Sequence, residues 1–395
     1  MLCLRPVGAW LRCFILPVLD TPPTQLPPDL DPSAFTALYV HVPFCFHKCH
    51  YCDFYSITRQ TPERMAGFVD LLLAEAAMWP GTPPLSTVFF GGGTPTLLPA
   101  GEMARLLDGL REAFDLSGVT EFTVEANPAT VDADYCRVLR DGGVDRLSFG
   151  AQSFDPAALQ MLERHHDPDD VERSVDAARS AGFTDDRLSI DLIFGVPGQP
   201  AASWAATLER GIAIGTGHMS CYGLTYESNT PLDVRRRLGR VTPVAEDLEL
   251  ELLRHTRRRL TDAGLPPYEI SNYGTPSAHN LTYWRGGSYL GLGPSAASHA
   301  AGVRWKNAGH LGKWERAVAA GSPPVIEAES LDDDQRAEER VMLGLRLAEG
   351  VAGVSAAVLT RAAAVPHLVD VDGDRLTLTD AGVEVADAVV AHLLS

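Results

Sequence analysis

The sequence has almost no lysine: Lys48, Lys306 and Lys313 are the only ones in 395 residues, arginine carries nearly all the positive charge, and the formal net charge is -18. Phosphate binding depends on Lys and Arg contacts, so this balance argues against nucleic acid as a main partner. No apolar run is long enough to cross a bilayer. The first nineteen residues place Arg5 and Arg12 around an apolar stretch, but Pro17 shortens it and no small-residue cleavage site follows. A cytoplasmic protein is expected, one that can still visit a membrane transiently. Seven cysteines, an odd number without regular pairing, exclude a disulfide framework. Cys3, Cys13, Cys136 and Cys221 are scattered, so no second C-x2-C pair exists to build a zinc knuckle.

The remaining cysteines, Cys45, Cys49 and Cys52, form a C-x3-C-x2-C run inside a single short loop with no fourth member. Three thiolates can hold three corners of a 4Fe-4S cube and leave one iron open to an exchangeable small molecule. The competing reading is a tetrahedral Cys3His zinc site completed by His41, His47 or His50. Zinc motifs usually arrive as paired knuckles, and the spacing here favours the cluster.

Along the chain, residues 1–34 read as a disordered extension ending in a Pro-rich linker. From residue 35 short β-type runs at 38–42, 87–90, 121–126, 146–150, 188–193 and 218–224 alternate with amphipathic helical stretches. Met103, Leu106, Leu107, Leu110 and Phe114 form one such face. This pattern predicts an α/β fold, a partial (β/α)6 barrel over 35–265. The residues of chemical interest fall at or just after strand ends, the edge where barrel sites form. A further strand is expected at 268–271, within a barrel-closing segment over 266–320. Residues 321–395 predict short helices at 335–347 and 355–363, strands at 368–371 and 375–378 around Asp372-Gly373-Asp374, and a last helix from Asp380. Helices followed by a small hairpin give a winged-helix-like α+β C-terminal domain, whose acidity favours a lid or docking role over DNA binding.

Gly91-Gly92-Gly93-Thr94-Pro95-Thr96 directly follows a predicted strand, where glycines let backbone approach a ligand closely. Glu125, Gln152, Arg164 and Asp191 are polar groups at the ends of consecutive βα units. Singly each reads as a structural salt bridge or strand-end hydrogen bond; as a set they read as a polar ring around one cofactor.

Together the cysteine loop, GGGTPT, VEANP, SFGAQSF and IDLIFGVPGQ resemble the radical S-adenosylmethionine (SAM) proteins related to oxygen-independent coproporphyrinogen III oxidase (dehydrogenase), over roughly residue 38 to the C-terminus. The resemblance implies a 4Fe-4S cluster on Cys45, Cys49 and Cys52, and SAM contacts from Tyr39, Tyr51, Gly92, Gly93, Thr94, Glu125, Gln152, Arg164 and Asp191. Two markers point to the haem chaperone branch, the HemW group: Phe54 stands where the dehydrogenases carry a further cysteine, and His279-Asn280-Leu281-Thr282-Tyr283-Trp284 matches that branch's H-N-x-x-Y-W motif. An axial imidazole beside aromatic walls suits haem iron. On spacing alone His279 reads as a hydrogen-bonded loop histidine; the resemblance makes it the expected haem ligand, with His299, His310 and His41 as competitors. The resemblance thus implies a chaperone that binds the cluster, SAM and haem and delivers haem to acceptor haemoproteins, respiratory enzymes among them. The alternative is a radical enzyme that decarboxylates coproporphyrinogen III to protoporphyrinogen IX. A zinc scaffold without redox chemistry is the third reading.

Overall fold

A computed structural model describes residues 32–395; the expected extension lies outside the described residues except for a short 3-10 turn at Pro32–Ala34. Six parallel strands follow one another in chain order: β1 (Ala37–Val42), β2 (Thr87–Gly92), β3 (Glu121–Ala126), β4 (Arg146–Gln152), β5 (Leu188–Phe194) and β6 (His218–Gly223). All six match the expected runs to within two residues at each end. Their near-continuous burial is that of strands covered on both faces, for example every residue of β5 except Asp191 and every residue of β1 except Tyr39.

The crossovers are helical: α1 (Pro62–Ala76), α2 (Ala100–Ala113), α3 (Ala133–Asp141), then the pair α4 (Pro156–Met161) and α5 (Pro168–Ser180), and α6 (Ala201–Ile214). Sequence chemistry sets their ends. Thr61, Asp132, Asp155 and Asp167 cap α1, α3, α4 and α5 through their side-chain oxygens, with Pro at the first helical position of α1, α4 and α5. Met103, Leu106, Leu107 and Leu110 of α2 are buried as their spacing predicts.

After β6 come α7 (Pro231–Arg237), α8 (Glu246–Asp262), β7 (Asn272–Gly274), α9 (Ala278–Trp284), β8 (Tyr289–Leu292), β9 (Ala297–Ala300), β10 (Val303–Asn307), α10 (Leu311–Ala319) and β11 (Val325–Ser330). Here the structure corrects three expectations. The strand placed at 268–271 lies slightly later, as β7, antiparallel to β6. The segment 266–320 does not close the barrel: β8 pairs parallel with β1 and begins an antiparallel extension, so the strand order is β11-β10-β9-β8-β1-β2-β3-β4-β5-β6-β7. β11 belongs to this main sheet, although it lies beyond residue 321. Chain proximity could not reveal this, because β8 finds its partner about 250 residues upstream, as the Thr36 to Ser288 hydrogen bond across a separation of 252 illustrates.

The C-terminal elements are α11 (Asp333–Gly344), α12 (Ala356–Ala362), the antiparallel hairpin β12 (Val369–Asp372) and β13 (Arg375–Leu378), α13 (Asp380–Glu384) and α14 (Ala386–Leu394). The expected last helix is thus two. These elements share a core of their own that includes Val341, Leu345, Val358, Leu376 and Leu393. They meet the body through a buried pair, Arg346 Nη2 to Glu269 Oε2 at 3.2 Å, with Arg346 stacked 4.5 Å over the Trp284 ring.

Candidate functional site

The cysteine loop is built as a continuation of β1. Phe44 bridges to Ile57, Cys45 N–H donates to Ile57 O, and Ile57 N–H returns to Pro43 O, which ties both ends of the loop together. Within it Cys52 N–H donates to Cys49 O. The glycine-rich segment runs alongside: Gly93 N–H donates to Val42 O at 2.8 Å and Thr94 N–H to Phe44 O at 2.7 Å. That approach needs glycine, because a Cβ on Gly93 would lie 2.6 Å from Phe44 O. It also delivers the Thr94 hydroxyl to 3.8 Å from Cys45 Sγ.

A cavity of about 570 Å³ opens beside these two loops. Of the residues expected to bind cofactor or metal, Cys45, Cys49, Cys52, Tyr51, Gly92, Gly93, Thr94, Glu125, Gln152, Arg164 and Asp191 line it together. They come from five different βα units, so the set exists only once the sheet has formed. Gln152 adopts φ 62 where β4 departs from regular pairing with β5, which turns the chain out of the sheet at the cavity. Arg164 hydrogen-bonds Gly150 O through Nη2 and approaches Cys49 Sγ at 3.9 Å through Nη1. A side chain at Gly150 would take the space of the Gln152 and Arg164 side chains, at 2.9 and 3.3 Å.

The polar ring carries two carboxyls that burial disfavours as anions. Glu125 is pushed up to about 8, first by burial and second by the facing Asp191, while the Gly92 N–H opposes the shift. Asp191 is raised by burial, opposed by hydroxyl donors; Ser148 Oγ lies 3.1 Å from both its oxygens. Two carboxyls whose anionic forms burial disfavours, facing one cavity, gain from a cation or a hydroxyl donor brought to them.

Two expected site residues stand elsewhere. Tyr39 lies on β1 under the cavity rather than lining it, its hydroxyl 3.0 Å from His41 Nδ1 and its ring stacked on Phe89. His279 departs further from expectation. It is 0% exposed, Nδ1 is 2.9 Å from Thr87 Oγ1, Nε2 is 2.7 Å from the Tyr283 hydroxyl, and the ring stacks on Phe89. The Glu121 carboxylate pins the start of its helix, accepting from Ser277 Oγ and the N–H groups of Ala278 and His279. Both ring nitrogens are thus engaged inside the core, the hydrogen-bonded histidine that spacing alone suggests. Of its competitors, His41 is also buried, between Tyr39 and Tyr55 O, and His299 bonds Gly287 O.

The donor set suits an iron–sulfur cluster better than zinc. Tetrahedral zinc holds thiolates about 3.8 Å apart. Among the described residues, the side chains that bring three ligand-type atoms within 4.8 Å of one another are His47, Glu163 and His165, not the cysteines. Burial raises the Cys45 thiol and pushes Cys52 up to about 12, with neighbouring cysteines adding to both, so the thiolate forms gain from a bound metal centre. The Glu163 group on the cavity rim was not assigned from sequence; Leu162-Glu163-Arg164-His165-His166 drew attention to Arg164 alone.

The family model described as "Radical SAM superfamily" matches residues 39–211. "Heme chaperone HemW" of Mycobacterium tuberculosis is 36% identical over 371 residues, covering 90% of this chain and 94% of the relative. The protein of the same name from Bacillus subtilis is 34% identical over 319 residues, covering 79% and 84%. The solved coproporphyrinogen III oxidase (HemN) of Escherichia coli, titled a radical SAM enzyme, superposes with TM-score 0.80 at 23% identity over 92% of this chain and 91% of that one. At that identity the superposition establishes the shared α/β fold with its partial barrel, while likeness across nearly the full length establishes kinship: the chain belongs to the HemW family of radical SAM proteins.

Proposed function

We propose that the chain carries a 4Fe-4S cluster on Cys45, Cys49 and Cys52, takes SAM at the iron those cysteines leave open, and binds haem in order to pass it to acceptor haemoproteins. The observation that carries this reading is the gathering of three thiols and a two-carboxyl polar ring around one cavity of about 570 Å³. When bound, the cluster would supply a one-electron centre with an exchangeable coordination position. Arg164 would balance thiolate charge beside Cys49, and Glu125 and Asp191 would accept from the ammonium and hydroxyl groups of SAM. The haem part rests on the names of the relatives, heme chaperones in Mycobacterium tuberculosis and Bacillus subtilis. Phe46 and Phe54, 71% and 46% exposed on the cavity rim, offer apolar faces to a flat macrocycle. Phe54 also supports the chaperone over the decarboxylating enzyme, since the resemblance puts a further cysteine there in the enzyme.

A single anaerobic preparation tests both halves. Haem added to the cluster-loaded protein is expected to give a saturable Soret band and to move to an apo-haemoprotein on mixing, while coproporphyrinogen III supplied with SAM and a reductant stays unconverted. Formation of protoporphyrinogen IX over repeated turnovers would assign the enzyme instead.

A further inference from the structure

On the rim of the cavity, Glu163 collects three imidazoles. His47 Nε2 lies 3.6 Å from Glu163 Oε2, and His50 Nδ1 lies 3.5 Å from Glu163 Oε1. The His165 ring packs edge-on to His47 with centroids 4.6 Å apart, and one ligand-type atom from each of His47, Glu163 and His165 falls within 4.8 Å of the others. The two imidazole–carboxylate distances are longer than a good hydrogen bond. They are close to the separation of about 3.4 Å between two N or O ligands that share one tetrahedral ion. His50 Nδ1 is moreover buried without a hydrogen-bond partner.

The backbone at Glu163 adds an independent argument. α4 ends in a left-handed cap: Glu163 has φ 56, its N–H bonds Gln160 O, and Arg164 N–H bonds Leu159 O. Glycine is the favoured residue at that position, and a residue with a Cβ costs roughly 1 kcal/mol there. The chain places a carboxylate in it all the same. The turn sends Arg164 towards Cys49 and leaves Glu163 and His165 on the rim, facing His47 and His50 of the cysteine loop.

We infer that His47, Glu163 and His165 form a second metal site, for a borderline divalent cation such as Zn2+ or Fe2+, with His50 against the other Glu163 oxygen. Two imidazoles and one carboxylate with room for solvent is the donor set such ions take. The site uses none of the three cysteines. It staples the cysteine loop to the loop that carries Arg164, so an ion there orders the cavity rim independently of whatever the cysteines hold.

The test uses the full chain, purified anaerobically with its cysteines loaded, and Zn2+ alone as the probe in equilibrium dialysis. One further equivalent is expected to bind, and Co2+ in its place is expected to give visible ligand-field bands without a thiolate-to-metal charge-transfer band. His165→Ala should weaken Zn2+ binding by more than about tenfold. Glu163→Gly should do the same while placing the favoured residue in the left-handed cap, so its loss of metal cannot be put down to a damaged fold. The brown absorbance of the same samples reports the cluster separately and should persist in both variants. No equivalent beyond the cluster, a thiolate band with Co2+, or full Zn2+ retention in both variants would overturn the assignment.

Discussion

At pH 7 the Glu125 carboxyl keeps its proton, because burial and the facing Asp191 hold its pKa at about 8 against 4.5 for the ordinary group. A raised acid holds its proton in the folded state over a range where the unfolded chain has released it. Stability is therefore lost as pH climbs from about 4.5 to about 8, and a cationic ligand recovers it by making the anion favourable. SAM binding to the cluster-loaded protein is accordingly expected to release a proton and to tighten by up to about tenfold per pH unit between about pH 6 and about pH 8. Calorimetry in buffers of different ionisation heat checks this; the slope should vanish in Glu125→Gln, and a wild-type slope of zero would contradict the assignment. Glu125 and Asp191 were legible as strand-end carboxylates, but their mutual repulsion was not, since nothing in the spacing of residues 125 and 191 says that β3 and β5 turn these side chains towards one another. His279 marks the opposite limit. Its motif was visible, yet its meaning depended on Thr87 and Tyr283 closing over both ring nitrogens.

Among the elements, the cysteine loop and the glycine segment function as a pair because β1 and β2 continue past their ends in hydrogen-bonded contact. Gly93 sits where the two loop backbones come close. Gly93→Ala would set a methyl group 2.6 Å from Phe44 O, which forces the two loops apart. Cluster absorbance at about 400 nm and iron content are expected to fall severalfold on anaerobic reconstitution, with the far-UV spectrum unchanged. Wild-type loading in that variant would show that the close approach does not position the cysteines. The six parallel strands and their helices were readable because period and turn residues are local properties. The order of β8 to β11 was not, since pairing β8 with β1 joins distant segments whose composition carries no register.

For the whole molecule, the C-terminal elements meet the body through a small buried cluster of Ile270 with Val383 and Ala386, a bridge between Glu269 and Leu347, and a buried ion pair. Arg346 is 9% exposed, pairs with the fully buried Glu269, and lies over Trp284 of the α9 motif. Removing one partner of such a pair leaves an uncompensated charge, so Arg346→Ala is expected to cost about 3–5 kcal/mol. Chemical denaturation monitored by tryptophan fluorescence measures the loss; a midpoint within error of wild type would mean the contact contributes little. The same contact joins Trp284 to the C-terminal elements, so the H-N-x-x-Y-W segment serves here as a structural joint between the sheet and those elements. Among the described residues no helix is long and apolar enough to cross a membrane.

The sequence alone determined the chemistry available: three thiols in one loop, a glycine segment one unit later, carboxylates and an arginine at successive strand ends, and a βα rhythm that brings strand ends to a common edge. These are properties of residue type and short spacing, which survive without coordinates. Tertiary structure alone decided which of those groups share a cavity, that Glu125 and Asp191 repel, that His279 is sealed in the core, and that Glu163 meets histidines from a loop more than a hundred residues away. Burial and through-space distance set each of these outcomes, and both exist only when the distant strands have found their partners.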